Sequence, residues 1–310
     1  MTACAGLHQP FKALTSYAYW HKTRMRDFVD KLATPVNMIF GDSGAHSART
    51  LGVHLTLEEY AAWCRKWDDQ LSLYANLDVI GGPEATWRNQ RQLEDVHGLK
   101  PIPVFHTGDP WEWLERYLDE GYTYIALGKL LGNPVKEVLP WIAKAFRIAQ
   151  GRAVFHGFGM TLWSALREFP FYSVDSSTWG QSARFGVIKL FDPNAGTWTP
   201  RFMMGDRAAL LRHRELIRAH HIDPASLATK SASNGAQASL LACLTWRRAE
   251  EYIRARHGPI TVPPGRRNPL TRAGRTAAPG LHLYLATASV TSIQRAAAGI
   301  HAARQEASTP

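Results

Sequence analysis

The chain has 310 residues, with 36 Lys plus Arg against 26 Asp plus Glu and 45% hydrophobic residues. That composition builds a sizeable core and excludes disorder throughout. No stretch approaches eighteen consecutive apolar residues, and Met1 to Lys12 lacks an apolar segment behind a basic start, so the expectation is a soluble, cytoplasmic protein without a membrane span or secretory signal. Cys4, Cys64 and Cys243 are too few and too scattered for a disulfide framework or a clustered zinc site, and read as reduced, buried thiols.

From Leu14 to about residue 221, β-rich runs alternate with amphipathic stretches, the pattern of repeated βα units around a parallel sheet. Eight strands are expected: Leu14–Trp20, Val36–Asp42, Leu71–Ile80, Pro101–His106, Tyr122–Gly128, Arg152–Gly159, Phe171–Ser176 and Phe185–Phe191. Several are nearly continuous apolar runs, as strands covered on both faces should be. Between the second and third, Leu57, Tyr60, Ala61, Cys64 and Trp67 recur at helical spacing behind Thr56, with Glu59 three residues on as in a capping box. Pro83, Pro110 and Pro134 stand at helix starts, where a missing N–H costs nothing. Eight units in roughly 200 residues fit an α/β (β/α)8 TIM-type barrel better than an open doubly wound sheet, and no GxGxxG follows the first strand.

The expected division is a catalytic barrel over residues 1–221 and a basic, mainly helical C-terminal extension over 222–310. From Asp206 onward there are 15 Lys plus Arg against 6 Asp plus Glu, so nearly all the positive excess is C-terminal. Ile222–Gly258 reads as helix, with Leu240, Leu241, Leu244, Ala249, Tyr252 and Ile253 as its apolar stripe. Residues 263–280 form a Pro/Gly/Arg-rich loop, and Leu281–Val290 reads as a last strand or helix.

Barrel enzymes carry their chemistry at the C-terminal ends of the strands. Here those ends hold Asp42, Ser43 and Gly44, then Asp78, His106, Gly128, His156 and Gly157, and Asp175. Carboxylates facing one mouth repel each other and raise at least one pKa, which prepares the acid/base pair that glycosyl transfer needs. The same aspartates with His106 and His156 admit a second reading, a divalent metal as in barrel hydrolases.

The runs beginning at Asp42 (DSGAHS), Tyr74 (YANLDVIGG), Ile125 (IALGKLLG), Val154 (VFHGFGMT) and Tyr172 (YSVDSSTW) resemble, in the same order, the tRNA-guanine transglycosylase (queuine tRNA-ribosyltransferase) superfamily. They are most similar to its short phage-type members, which place 7-deazaguanines in DNA. The resemblance spans about Leu14 to Arg201. It implies that Asp175 is the nucleophile on the ribose C1′ and Asp42 the general acid/base. It also implies that Ser43, Asp78, His106, Gly128 and Gly157 bind the base and that His46 and His156 sandwich it. Two departures stand out: Ala45, His46 and Ser47 follow Gly44, and the second glycine of the strand-five turn is replaced near Lys129. The three-cysteine, one-histidine zinc site of the tRNA enzymes is also absent, which favours DNA over tRNA. The implied reaction exchanges guanine for a base such as preQ0, needs no cofactor or metal, and leaves the phosphates to cations: Arg184, Arg266, Arg267, Arg272 and Arg275. The same exchange on tRNA and a metal-dependent hydrolase remain the alternatives.

Overall fold

The computed structural model describes residues 11–20, 36–45, 54–130, 132–180, 182, 185–229, 232–267, 269 and 279–287. Eight parallel strands form one sheet: β1 (Phe11–Ser16), β2 (Val36–Asp42), β3 (Leu73–Tyr74), β4 (Val104–His106), β5 (Tyr124–Gly128), β6 (Val154–Gly157), β7 (Ser173–Ser176) and β8 (His282–Thr287). Their order is β3-β2-β1-β8-β7-β6-β5-β4, so chain neighbours are sheet neighbours except β3 and β4, which stand at the two ends. The helices between them include α1 (Leu57–Lys66), α2 (Pro83–Asp95), α3 (Trp111–Asp119), α4 (Val135–Ala149), α5 (Trp163–Glu168) and α6 (Ala232–His257), with shorter ones at Tyr17–Trp20, where the first strand was expected to continue, and at Arg207–Arg212 and Arg214–Arg218. None of the described helices is long and apolar enough to cross a membrane.

The period of two along each strand sorts the side chains. One set (Leu14, Phe40, Leu73, Ala75, Ile102, Val104, Tyr124, Ala126, Val154, Tyr172 and Tyr284) comes from or borders all eight strands and packs into a single buried cluster, which requires the sheet to curl. The other set (Phe105, Ile125, Leu127, Phe155, Val174 and Leu283) meets the covering helices. The result is a TIM-like arrangement of a curled parallel sheet flanked by helices. The outermost strands of the order are themselves joined just past β3, where Ile102 N–H donates to Tyr74 O and Asn76 N–H to Ile102 O, both at 2.9 Å.

The N-cap forms as the sequence requires, with the Thr56 and Glu59 side chains bonded to each other. Thr56 Oγ1 accepts the Glu59 N–H at 3.3 Å and donates to Glu59 Oε2 at 2.8 Å, opening α1. Pro83 is the first residue of α2, while Pro110 and Pro134 cap α3 and α4 one residue earlier.

Two expectations are corrected. Phe185–Phe191 is not the eighth strand of the sheet. Val187–Ile188 and Phe191–Asp192 instead pair antiparallel with Phe202–Met203 and Thr197–Trp198, in an insertion with its own core of Ile188, Leu190, Phe202, Leu210, Ile217 and Leu241. The eighth strand is β8, between β7 and β1, and α6 covers the sheet through Cys243, Trp246, Ala249 and Ile253. The stretch beyond residue 221 therefore completes the sheet rather than standing outside it, tied further by Lys12 Nζ to Glu250 Oε1 at 2.5 Å. Helix α6 also begins at Ala232, with a 3-10 turn at Pro224–Leu227 where helix was expected.

Candidate active site

Each strand's inward row continues upward from the core, and at the C-terminal ends its next member is polar. Beyond Leu14 comes Ser16, beyond Phe40 Asp42, beyond Val104 His106, beyond Ala126 Gly128, beyond Val154 His156, and beside Ser173 on the same face Asp175. Between β2 and β7 lie β1 and β8, three strand spacings or about 14 Å along the sheet. On a curled wall the direct separation of Asp42 and Asp175 is shorter than this path, and the charge of Asp175 is felt at Asp42.

Asp42 sits on a turn whose Ser43 and Gly44 N–H groups hydrogen-bond its carboxylate. Burial, aided by the negative charges of Asp78 and Asp175, outweighs those bonds and pushes its pKa up to about 8. The three aspartates thus share one electrostatic neighbourhood, and Asp42 carries a proton at neutral pH.

Asp78 follows β3 on the neighbouring loop and is held from two sides: Ser43 Oγ donates to Oδ1 at 3.0 Å, and His106 Nε2 lies 2.8 Å from Oδ2. The His106 ring stands between Asp78 and Asp109, whose Oδ2 is 3.5 Å from Nδ1 and accepts the His106 backbone N–H at 3.0 Å. Burial opposes charge on this ring, but the two carboxylates prevail and lift its pKa to about 9. His106 is an imidazolium at neutral pH, with Nε2 donating to Asp78 and the buried Nδ1 facing Asp109 without a full hydrogen bond.

Gly128 explains why the ring fits. A Cβ there would lie 2.6 Å from His106 Cδ2, so the strand-five residue beside His106 must be glycine. The next residue, Lys129, has a φ of +56°, a left-handed backbone that glycine adopts more readily. Its carbonyl is fixed by Thr107 Oγ1 at 2.7 Å and Asn133 Nδ2 at 2.6 Å. The turn keeps a glycine-like shape with an exposed cation on it.

His156 lies differently from its expected role as a stacking face. The ring is fully buried, edge-to-face against Phe40 and Phe158, with Nδ1 2.6 Å from Ser173 Oγ and Nε2 3.4 Å from Asp175 Oδ1. Burial lowers its pKa, against the pull of Asp175, so the ring is neutral. It backs Asp175 rather than sandwiching a base. Gly157 turns outward, where a Cβ would meet Met160 at 2.9 Å and Phe171 at 3.2 Å, so it serves helix packing and not the mouth. Gly159, with a φ of +61°, donates its N–H to Asp175 Oδ1 at 2.7 Å.

Two of the expected phosphate cations fall elsewhere. Arg267 Nη1 binds Glu94 Oε2 at 2.7 Å, and its backbone bridges Tyr122 at the N-terminal edge of β5. Arg266 Nη2 donates to Asp119 O at 2.8 Å. Tyr122 lies six residues before Gly128, about 20 Å down the strand, so both arginines clamp the end of the sheet opposite the aspartates. Arg248 and Arg256 likewise donate to Ala219 O and Arg167 O, at helix C-termini where cations are favoured. His46, Arg184, Arg272 and Arg275 lie outside the described residues.

Sequence reasoning missed Ser16, Asp109, Tyr124 and Ser173. Ser16 is the register partner of Asp42, with a buried Oγ that bonds no described residue. Ser16 and Ser173 could have been found from inward parity once the strand frame is known, whereas Asp109 lies in the turn after β4 and Tyr124 at the start of β5. Among the described residues no group of three or more His, Cys, Asp or Glu is arranged to hold a metal ion, and Cys64 and Cys243 are separate, buried thiols. No protein-family model matches the chain, and no curated protein matches its sequence.

Proposed function

We propose that the protein is a base-exchange glycosyltransferase that replaces guanine in a nucleic acid, DNA in preference to tRNA, by a 7-deazaguanine such as preQ0. The observation that carries this reading is the pairing across one mouth of a protonated Asp42 with Asp175, whose Oδ2 has no partner among the described residues. Exchange of one base for another with retention at C1′ takes two displacements, hence a carboxylate nucleophile and a second carboxyl that alternates between acid and base.

In the first displacement an Asp175 oxygen bonds to C1′ as the C1′–N9 bond breaks, and the Asp42 proton passes to the leaving guanine. In the second, N9 of the incoming base attacks C1′, the ester oxygen leaves as the Asp175 carboxylate, and Asp42 recovers the proton. Asp78, braced by Ser43 and His106, offers acceptor oxygens to the base's donor edge. A duplex guanine must first leave the stack, at a cost of a few kcal/mol.

The bridge from Ala75 to Ile102 supports a closed (β/α)8 barrel as the scaffold, because it joins the two ends of the strand order. The tRNA reading is favoured less because the cysteines offer no zinc subdomain. The hydrolase reading draws no support from the donor geometry. The test is to incubate the protein with labelled guanine and, separately, duplex DNA, single-stranded DNA and tRNA. Uptake into DNA that Asp175→Asn abolishes is expected. Uptake into tRNA alone would select the second reading, and uptake into no polymer would overturn base exchange.

A further inference from the structure

We propose that Tyr124, Ser173 and His156 form a one-way hydrogen-bond relay that fixes the orientation of Asp175 and selects Oδ2 as its attacking atom. Its catalytic consequence rests on the base-exchange reading; the relay itself is a property of the fold.

The direction follows from counting protons. The His156 ring is buried among Phe40, Phe158 and Tyr284 and is neutral, so it carries a single N–H. Its buried Nε2 makes no full hydrogen bond to a described residue, and the carboxylate oxygen it faces, Asp175 Oδ1 at 3.4 Å, can only accept. With the proton on Nδ1, two lone pairs would confront each other in a water-free site, so the proton belongs on Nε2. Nδ1 is then an acceptor, and Ser173 Oγ, 2.6 Å away, must donate to it. Ser173 has one proton, so its bond with the Tyr124 hydroxyl must run from tyrosine to serine. Tyr124 is itself buried, which raises its pKa well above the ordinary value and keeps the phenol protonated as a donor. Every bond in the chain has one allowed direction.

The topology builds this chain without a loop. Tyr124, His156 and Ser173 sit on the adjacent strands β5, β6 and β7, with Tyr124 in register with Val154 and His156 in register with Ser173. All three point inward with Asp175, two residues beyond Ser173. The imidazole spans that step along β7, one nitrogen on each side chain.

The outcome at Asp175 is asymmetric. Oδ1 accepts the Gly159 N–H at 2.7 Å and faces His156 Nε2, while Oδ2 has no hydrogen bond or ion pair with a described residue. When Oδ2 bonds to C1′, Oδ1 becomes the ester carbonyl oxygen and keeps the Gly159 donor, with the His156 N–H close by. When the ester breaks and the C1′–Oδ2 pair returns to the carboxylate, those N–H groups already lie beside the returning charge. Tyr124 and Ser173 are positioning residues, acting on the reaction through His156.

The relay is tested on the full chain labelled with 15N-histidine, in wild type, Ser173→Ala and Tyr124→Phe. Histidine 15N chemical shifts report the tautomer of each ring, and steady-state base exchange is followed on the same proteins. The wild type should hold His156 as the Nε2–H tautomer. Ser173→Ala removes the only donor to Nδ1, so the ring should become a mixture of tautomers and kcat should fall between about 10- and 100-fold with KM little changed. Tyr124→Phe deletes one oxygen and keeps the ring's packing, and should give a smaller change in the same direction. A wild-type His156 protonated on Nδ1 overturns the relay, as do variants that keep both the wild-type tautomer and the wild-type kcat. Absent turnover in the wild type would refute base exchange alone, and the tautomer would still decide the relay.

Discussion

Replacing Asp42 by Asn tests the electrostatics at the centre of the site. In the unfolded chain an Asp titrates near 3.9, and in the folded protein burial plus the charges of Asp78 and Asp175 move Asp42 up to about 8. Between those values the folded protein holds a proton that the unfolded chain has released. A raised folded pKa contributes stability that is fully present below about pH 4 and is lost as pH rises through 8. Four units at about 1.4 kcal/mol each make this loss on the order of 5 kcal/mol. Asn cannot ionise, and its amide oxygen can still accept from the Ser43 or Gly44 N–H groups. The stability of Asp42→Asn relative to wild type should therefore climb by several kcal/mol from pH 4.5 to pH 8 and level off beyond. Urea unfolding of both proteins across pH 4.5 to 9 measures it. In parallel, wild-type exchange should decline above pH 8 as the acid form disappears. A stability difference that stays flat across this interval would mean that Asp42 ionises normally in the folded state, and its role as proton donor at neutral pH would fall.

Asp175→Asn should abolish label uptake into the polymer while leaving nucleic-acid affinity within about twofold, since phosphate contacts do not involve this group; retained turnover would remove the covalent route. Asp109→Asn should bring the His106 pKa down from about 9, read by NMR titration of its ring protons; because that pKa is raised on folding, the stability it contributes lies below about pH 6.5 and is lost as pH rises through 9. An unchanged His106 titration would show that Asp109 does not support the ring. Gly128→Ala should drive the His106 ring from Asp78 and destabilise the fold by about 1 to 3 kcal/mol in urea unfolding, with base exchange lost in step; wild-type stability would contradict the 2.6 Å approach. Arg267→Ala should cost about 1 to 3 kcal/mol by stripping Glu94 of a partner, and should leave the salt dependence of DNA affinity unchanged. A slope shallower by about one unit would return Arg267 to the phosphate contacts.

The elements that sequence reasoning placed well are those whose signals are local. Thr56 and Glu59 cap α1 through contacts three residues apart, and Val36–Asp42 and Val104–His106 announce themselves by apolar runs that end on a polar residue. Phe185–Phe191 misled because Ile188, Leu190 and Phe191 are as apolar as a barrel strand. They are apolar for another reason: Ile188 and Leu190 serve the core of an insertion and Phe191 packs from it onto the helix-facing core, and composition cannot distinguish either from a strand of the sheet. The strand that does complete the sheet, His282–Thr287, is separated from β7 by about a hundred residues, and only register can assign it.

The same distinction governs the charges. A count of arginines beyond Asp206 treats each as a free cation at the surface, but a guanidinium carries five donors and is as useful for holding backbone as for holding phosphate. Arg248, Arg256 and Arg266 donate to the final carbonyls of helices, and Arg267 completes a cluster with Arg91 and Tyr122 around the nearly buried Glu94. Those uses depend on which helix end comes within reach, which is a property of the fold. The aspartates differ because a strand end in a curled parallel sheet already has a direction. Inward parity carries a polar residue from the core row to the mouth, so Asp42, His106 and Asp175 could be grouped from sequence while Arg266 and Arg267 could not. A charge is legible as chemistry where secondary structure alone fixes its facing, and only as a count where tertiary contact decides.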